Sequence, residues 1–363
     1  MSWLLVFLGF CLLIVLHEGG HYVAAKATGM RVEKFFLFLG PKLVSFKRGE
    51  TEYGIAAIPL GGYAKISGMN PEEELPPEVE PRAYSRQPVW KRIVVVAAGP
   101  AVNIALAFAI FFIAFLFYSQ RPTQAVGEVN GGAPAATVLR PGDRIRAVDG
   151  RSYPALGLDE RLERFGKQVA SHECPGRQVN GCKAATPVKL EVLRDGSVRT
   201  IFVRPEYDRE YGRTLIGFSY ADAPEDVGAG TALDRAADSM WLVTHRTASI
   251  VSRIFEAEQR KQLSSVVGIS DVGHQTVEVG VFPSLVLLAI VSLSLGLFNL
   301  LPILPLDGGH IFWSLLEKLR GKPVSLRVME RATVVGIALV VLLFFIGLNN
   351  DIGRLTGEGF NVR

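Results

Sequence analysis

Four apolar blocks decide what this chain can become. They run from Trp3 to about Ala25, from Ile93 to Ser119, from about Val279 to Leu306, and from Ala332 to Asn350. Each is long enough to cross a hydrocarbon core of about 30 Å as a helix rising about 1.5 Å per residue. One such block is compatible with a buried helix of a soluble protein. Four of them, in a chain with 49 % hydrophobic and 20 % charged residues, predict a polytopic α-helical membrane protein. A purely soluble enzyme and a disordered chain are both excluded. The formal net charge of +4 is small and dispersed, and no zinc-knuckle or RNA-binding motif is present, so nucleic acid is not an expected partner. The first block is not read as a cleaved signal peptide: nothing basic precedes Trp3, and the apolar run ends on His17, Glu18 and His21 rather than on small residues.

Basic residues in the short loops set the expected direction. Arg31, Lys34, Lys42, Lys47, Arg48, Lys65, Arg82, Arg86, Lys91 and Arg92 follow the first block; Lys318, Arg320, Lys322, Arg327 and Arg331 follow the third. These loops are expected to face the cytoplasm. Both termini, and the long stretch 120–278, are then extracytoplasmic.

The chemistry sits at the inner end of the first block. His17-Glu18-Gly19-Gly20-His21 has the H-E-x-x-H form. Residues four apart share a helix face, so both imidazoles can hold one metal ion, and Glu18 beside them can take a proton from metal-activated water. Three ionisable groups in an apolar span are costly and point to function. A catalytic zinc needs a third protein ligand and an open position. Asp307 is the preferred candidate, in Asn299-Leu300-Leu301-Pro302-Ile303-Leu304-Pro305-Leu306-Asp307-Gly308-Gly309-His310, where Pro302 and Pro305 are expected to break the helix and free backbone groups at membrane depth, with His310 as the rival. Both half-sites fall at similar depth in the expected topology, since the first and third spans run in the same direction.

Two further regions carry patterns. In residues 35–66, short β-prone runs flank Arg48-Gly49-Glu50, as in a hairpin; a sheet there offers an edge to which an extended substrate can add as a strand. From about Pro122 to Pro205, strand and turn signals alternate, and Val188–Leu193 and Val198–Val203 flank Asp195-Gly196, a hairpin signal. Cys174 and Cys182 lie in an insertion of that stretch and are expected to form a disulfide if it lies outside the cytoplasm. Residues 231–262 have helical, amphipathic spacing. Residues 70–90 form an acidic, proline-rich linker.

His17–His21, Gly99-Pro100-Ala101-Val102-Asn103, Ile58-Pro59-Leu60-Gly61-Gly62-Tyr63, Asn299 through Gly309 and Asn350-Asp351-Ile352 together resemble the site-2 protease family of intramembrane zinc metalloproteases, of the bacterial regulator of sigma-E protease type. The likeness covers nearly the whole chain. It implies one zinc ion held by His17, His21 and Asp307, with Glu18 as catalytic base. It also implies substrate handling at Asn299 and a membrane-associated β-loop, where Gly61 and Gly62 are the expected substrate contacts. The stretch after the second span resembles a PDZ domain, one where the best-known members carry two.

The implied division is 1–27 first span, 28–69 β-loop, 70–90 linker, 91–119 second span and 120–207 PDZ domain. It continues with 208–278 amphipathic region, 279–310 third span, 311–331 cytoplasmic loop, 332–350 fourth span and 351–363 tail. The implied location is a bacterial inner membrane, with the active site towards the cytoplasm. The implied substrates are transmembrane segments of single-span proteins such as anti-sigma factors or remnant signal peptides, with a truncated C-terminus as a possible PDZ ligand. Two rival readings are a non-proteolytic membrane PDZ receptor with a structural zinc, and a metal transporter.

Overall fold

The structure is a computed structural model that describes residues 1–70, 73–209, 211–254, 256, 260, 263–322 and 324–356. The chain divides into two compact units, Met1–Tyr118 with Val227–Arg363, and Ser119–Asp226.

The first unit is mainly helical. Its long helices are α1 (Ser2–Ala27), α2 (Val89–Tyr118), α4 (Ala229–Ser252), α5 (Val266–Val279), α6 (Val281–Asn299), α7 (Asp307–Arg320) and α8 (Leu326–Thr356). Helices α1, α2, α6 and α8 are long and apolar enough to cross a membrane. Each buries one stripe. On α1 it is Leu13, His17, Gly20, His21 and Ala25; on α2 it includes Val95, Gly99, Asn103, Ala107, Phe111 and Ala114. Apart from the neighbours Gly20 and His21, these steps are of three to four residues, the helical period. The large side chains Leu4, Phe7, Leu8 and Leu12 of α1, and Val334, Val335 and Phe345 of α8, are exposed, as lipid-facing residues are. Helix α4 packs against α2 and α6 through Ala232 and Ala236.

Between α1 and α2 lie β1 (Val32–Arg48) and β2 (Thr51–Ile66). Residues 34–37 pair with 62–65 on one side and with 52–55 on the other, while 42–48 pair with 51–56, so the two strands double back into a small sheet. The turn carries Glu50, whose carboxylate binds Arg82 and Lys26. These partners, Arg82 foremost, hold its pKa down to about 2 and tie the turn to the end of α1.

The second unit is an antiparallel sheet with one helix. Its strands are β3 (Gln120–Val129), β4 (Arg144–Val148), β5 (Val188–Arg194), β6 (Ser197–Val203), β7 (Glu206–Asp208), β8 (Arg213–Leu215) and β9 (Phe218–Pro224), with α3 (Leu158–Ala170) between β4 and β5. The main sheet runs β6-β5-β4-β3-β9. Asp195 and Gly196, both at positive φ, make the β5–β6 turn. Leu162, Phe165 and Val169 of α3 close the core over Ile145, Val188, Leu190 and Val192. Cys174 and Cys182 are joined by a disulfide.

Three boundaries differ from the sequence-based division. The second unit ends at Asp226 rather than at residue 207, because β9 completes the sheet against β3. The third span, 279–310, is interrupted, as its two prolines lead one to expect, and its inner end is a separate helix. Helix α6 stops at Asn299, and a new helix, α7, begins at Asp307 and fills much of the expected loop 311–331. Pro302 and Pro305 lack the N–H that a continuing helix needs. The fourth helix outlasts 332–350 at both ends, running from Leu326 to Thr356. Pro71 and Glu72 of the linker, Phe255 of the amphipathic stretch and residues 357–363 of the tail lie outside the described residues.

Candidate metal centre

Helix α1 supplies the first half of the site from purely local geometry. His17 and His21 stand one turn apart on its buried stripe. The second half arrives from α7. The chain leaves α6, turns through residues 300–306 and restarts with Asp307 in the first helical turn. Gly308 makes that turn possible: a Cβ there would stand 2.2 Å from the Leu300 carbonyl oxygen. Arg92 of α2 holds α7 through a two-pronged ion pair with Glu317, at 3.0 and 2.7 Å.

The three side chains converge on one point. Asp307 Oδ2 lies 3.2 Å from His17 Nε2 and 3.3 Å from His21 Nε2, and the two Nε2 atoms are 3.3 Å apart. Asp307 Oδ2 is buried and accepts no hydrogen bond. Three electron-pair donors facing one another call for a cation or a shared proton. A tetrahedral ion with bonds of about 2.0 Å has edges of about 3.3 Å, so the triangle fits three corners of a zinc site. Two imidazoles and a carboxylate are also a donor set that hydrolytic zinc uses. This is the group with metal-binding spacing among the described residues; His310 is outside it.

Helix α2 is the wall behind the histidines. His21 Nδ1 lies 2.9 Å from the Val95 carbonyl oxygen, and His17 Nδ1 lies 3.3 Å from Asn103 Nδ2. Between these positions a Cβ on Gly99 would stand 2.2 Å from His21 Nε2, so the ring occupies space that any other residue would fill.

Glu18, beside the ligands on α1, faces the β-sheet: a Cβ on Gly62 would stand 3.0 Å from Glu18 Cγ. Gly61 lines an apolar groove of about 720 Å³ together with Phe7, Phe10, Ile14, Phe38 and Pro59. Asn299 caps the end of α6 by donating from Nδ2 to the Leu295 carbonyl at 3.0 Å, and it is not among the metal-spaced donors. The roles of Val95, Gly99 and Arg92 escaped the sequence reading. For Asn103 a signal was present: a carboxamide within an uncharged span is expensive unless it has work inside the bundle.

Residues 5–343 match the profile of Peptidase family M50. Zinc metalloprotease Rip1 of Mycolicibacterium smegmatis is 31 % identical, covering 88 % of this chain and 86 % of the relative. Rip1 of Mycobacterium tuberculosis is 30 % identical, covering 93 % and 94 %. A putative zinc metalloprotease of Rhizobium meliloti is 30 % identical, covering 95 % of each.

Proposed function

The chain belongs to peptidase family M50 and is a zinc metalloendopeptidase of the integral membrane, and from that premise we propose that it cuts a peptide bond within the transmembrane segment of single-span substrates. The carrying observation is the donor triangle of His17, His21 and Asp307, with Glu18 on the same helix as the two histidines. In this reading those three residues hold the ion. When bound, zinc supplies Lewis-acid chemistry, polarising a carbonyl and lowering the pKa of water to about 7.

The remaining work belongs to the chain. Glu18 takes the proton of the attacking water and returns it to the leaving amine. A structural metal site has no use for such an acid, which favours the protease over the receptor reading. A transmembrane helix hides its peptide bonds in its own hydrogen bonds, so the substrate must unwind. The sheet of β1 and β2, with Gly62 packed against Glu18, offers an edge on which an unwound strand would lie beside the base. The groove at Gly61 has the apolar lining that a lipid-embedded segment requires. Asn299 is assigned to substrate handling near the α6 end.

The finer placement follows the loop charges and the family: a bacterial inner membrane, termini and residues 119–226 outside, the centre towards the cytoplasm. The unit of residues 119–226 is assigned as the PDZ domain, a filter for truncated substrates. Anti-sigma factors and remnant signal peptides are the substrate classes, in regulated intramembrane proteolysis.

The test is cleavage of a tagged single-span substrate in liposomes by wild type and Glu18→Gln. A loss of about 10²–10⁴-fold in the variant, at unchanged zinc content, is expected. Equal cleavage by both proteins would remove Glu18 as the base.

A further inference from the structure

Asn103 is completely buried in the middle of α2, and its backbone carbonyl accepts from Ser292 Oγ at 2.9 Å. Its Nδ2 lies 3.3 Å from His17 Nδ1, while its Oδ1 is buried without a hydrogen-bond partner. That orientation has a consequence. If Nδ2 donates to His17 Nδ1, the imidazole proton must sit on Nε2, the atom that faces Asp307 and His21. A protonated Nε2 cannot bind a metal ion.

The two ends of a carboxamide have the same shape, so turning it over costs no space. The orphaned oxygen then accepts from His17 Nδ1–H, and the Nε2 lone pair is freed. His21 already has this arrangement. The Val95 carbonyl, 2.9 Å from its Nδ1, can only accept, which puts the proton on Nδ1 and leaves Nε2 free. Positions 95 and 103 are two turns apart on the buried stripe of α2, one acceptor for each histidine.

We propose that Asn103 is the positioning residue for His17: its side-chain oxygen faces His17 Nδ1–H in the zinc-loaded protein and holds the imidazole in the ligating tautomer. This rests on reading His17 as a zinc ligand. Acceptors behind metal-bound histidines raise affinity by about 10–100-fold, and a buried carboxamide in this span otherwise has no compensation.

The test uses the full-length chain in detergent, stripped of metal and titrated with zinc against a chromophoric chelator. Asn103→Asp keeps the shape and, as the carboxylate facing His17 Nδ1–H, can only accept; Asn103→Leu keeps the size and cannot accept. The aspartate variant is expected within about threefold of wild type and the leucine variant about 10–100-fold weaker. Leucine binding as tightly as wild type, or aspartate as weakly as leucine, overturns the assignment. A second measurement needs no variant. In zinc-loaded wild type, the solid-state NMR distance between His17 Nδ1 and Asn103 Nδ2 should exceed 3.3 Å. A distance at or below that value overturns it as well. If wild type binds no zinc, the metal reading falls and this inference with it; if wild type binds zinc and the variants do not separate, only the Asn103 assignment falls.

Discussion

In the unit of Ser119–Asp226 the interior is apolar: Val126, Ile145, Phe165, Leu190 and Val192 are buried, and the polar exceptions include Asp143. The helical unit also buries apolar residues, Leu13, Val95, Phe111 and Leu293 among them, but polar side chains take a larger share of its interior. His17, His21, Asn103, Ser292 and Asp351 are buried, while Leu4, Phe7, Val335 and Phe345 are exposed. The difference follows from the surrounding solvent. Water drives apolar side chains inward in the first case. Lipid is as apolar as leucine, so hydrophobicity selects no inside for the helices, and close packing by small residues and hydrogen bonding decide instead. Buried polar residues are therefore rarer in one unit and a larger part of the interior in the other.

The sharpest way to break this contrast is with one methyl group at two glycines. Gly99→Ala pushes a Cβ into the His21 ring, whereas a Cβ on Gly19 meets nothing within 4 Å. Zinc binding should fall by at least about 10-fold in Gly99→Ala and hold in Gly19→Ala, read as metal content of purified protein. If both variants keep zinc, α2 is not the wall that seats His21.

Apolar truncation should separate the units next. Phe165→Ala removes a fully buried ring and should cost about 3–5 kcal/mol, seen as lost amide-exchange protection in β5 of the full chain. Val335→Ala, on the exposed face of α8, should change stability by about 0.5 kcal/mol or less. Similar costs at the two sites would mean that α8 packs against more than lipid.

The smallest effect is electrostatic. Arg194 hydrogen-bonds Asp143 at 2.7 and 2.6 Å and, outweighing burial, holds its carboxyl below the usual range. A depressed folded pKa gives stability that is complete above the unfolded value of about 4 and fades as pH falls through the folded value. Amide-exchange protection of the second unit should therefore decline in that acid window, and Asp143→Asn should flatten the decline. An unchanged slope in the variant would assign the acid sensitivity elsewhere.

Much of this was legible in the residues because it is local. Four apolar runs declared four helices, although their ends shifted where Pro302 and Pro305 cut the third. The i, i+4 spacing of His17 and His21 placed two donors on one face before any tertiary contact was known. Asp195-Gly196 announced the β5–β6 hairpin because two positive-φ residues suit the strand twist. Other features depend on contacts between distant segments. The strand β9 pairs with β3 across about ninety residues, so its membership of the second unit had no local signature.

What the sequence by itself determined is the set of membrane helices, the histidine pair and the acid between them, because helix period and hydropathy are properties of neighbouring residues. What only the tertiary structure decided is how the centre closes: that the preferred carboxylate reaches the histidines, and which groups of α2 stand behind them. Asp307 meets His17 and His21 because the chain breaks after Asn299 and restarts at the right depth. The Val95 carbonyl and the Asn103 side chain reach the same rings from 74 and 86 residues away. Those distances are set by how helices cross and by where a glycine lets a ring approach the backbone, and packing alone supplies that information.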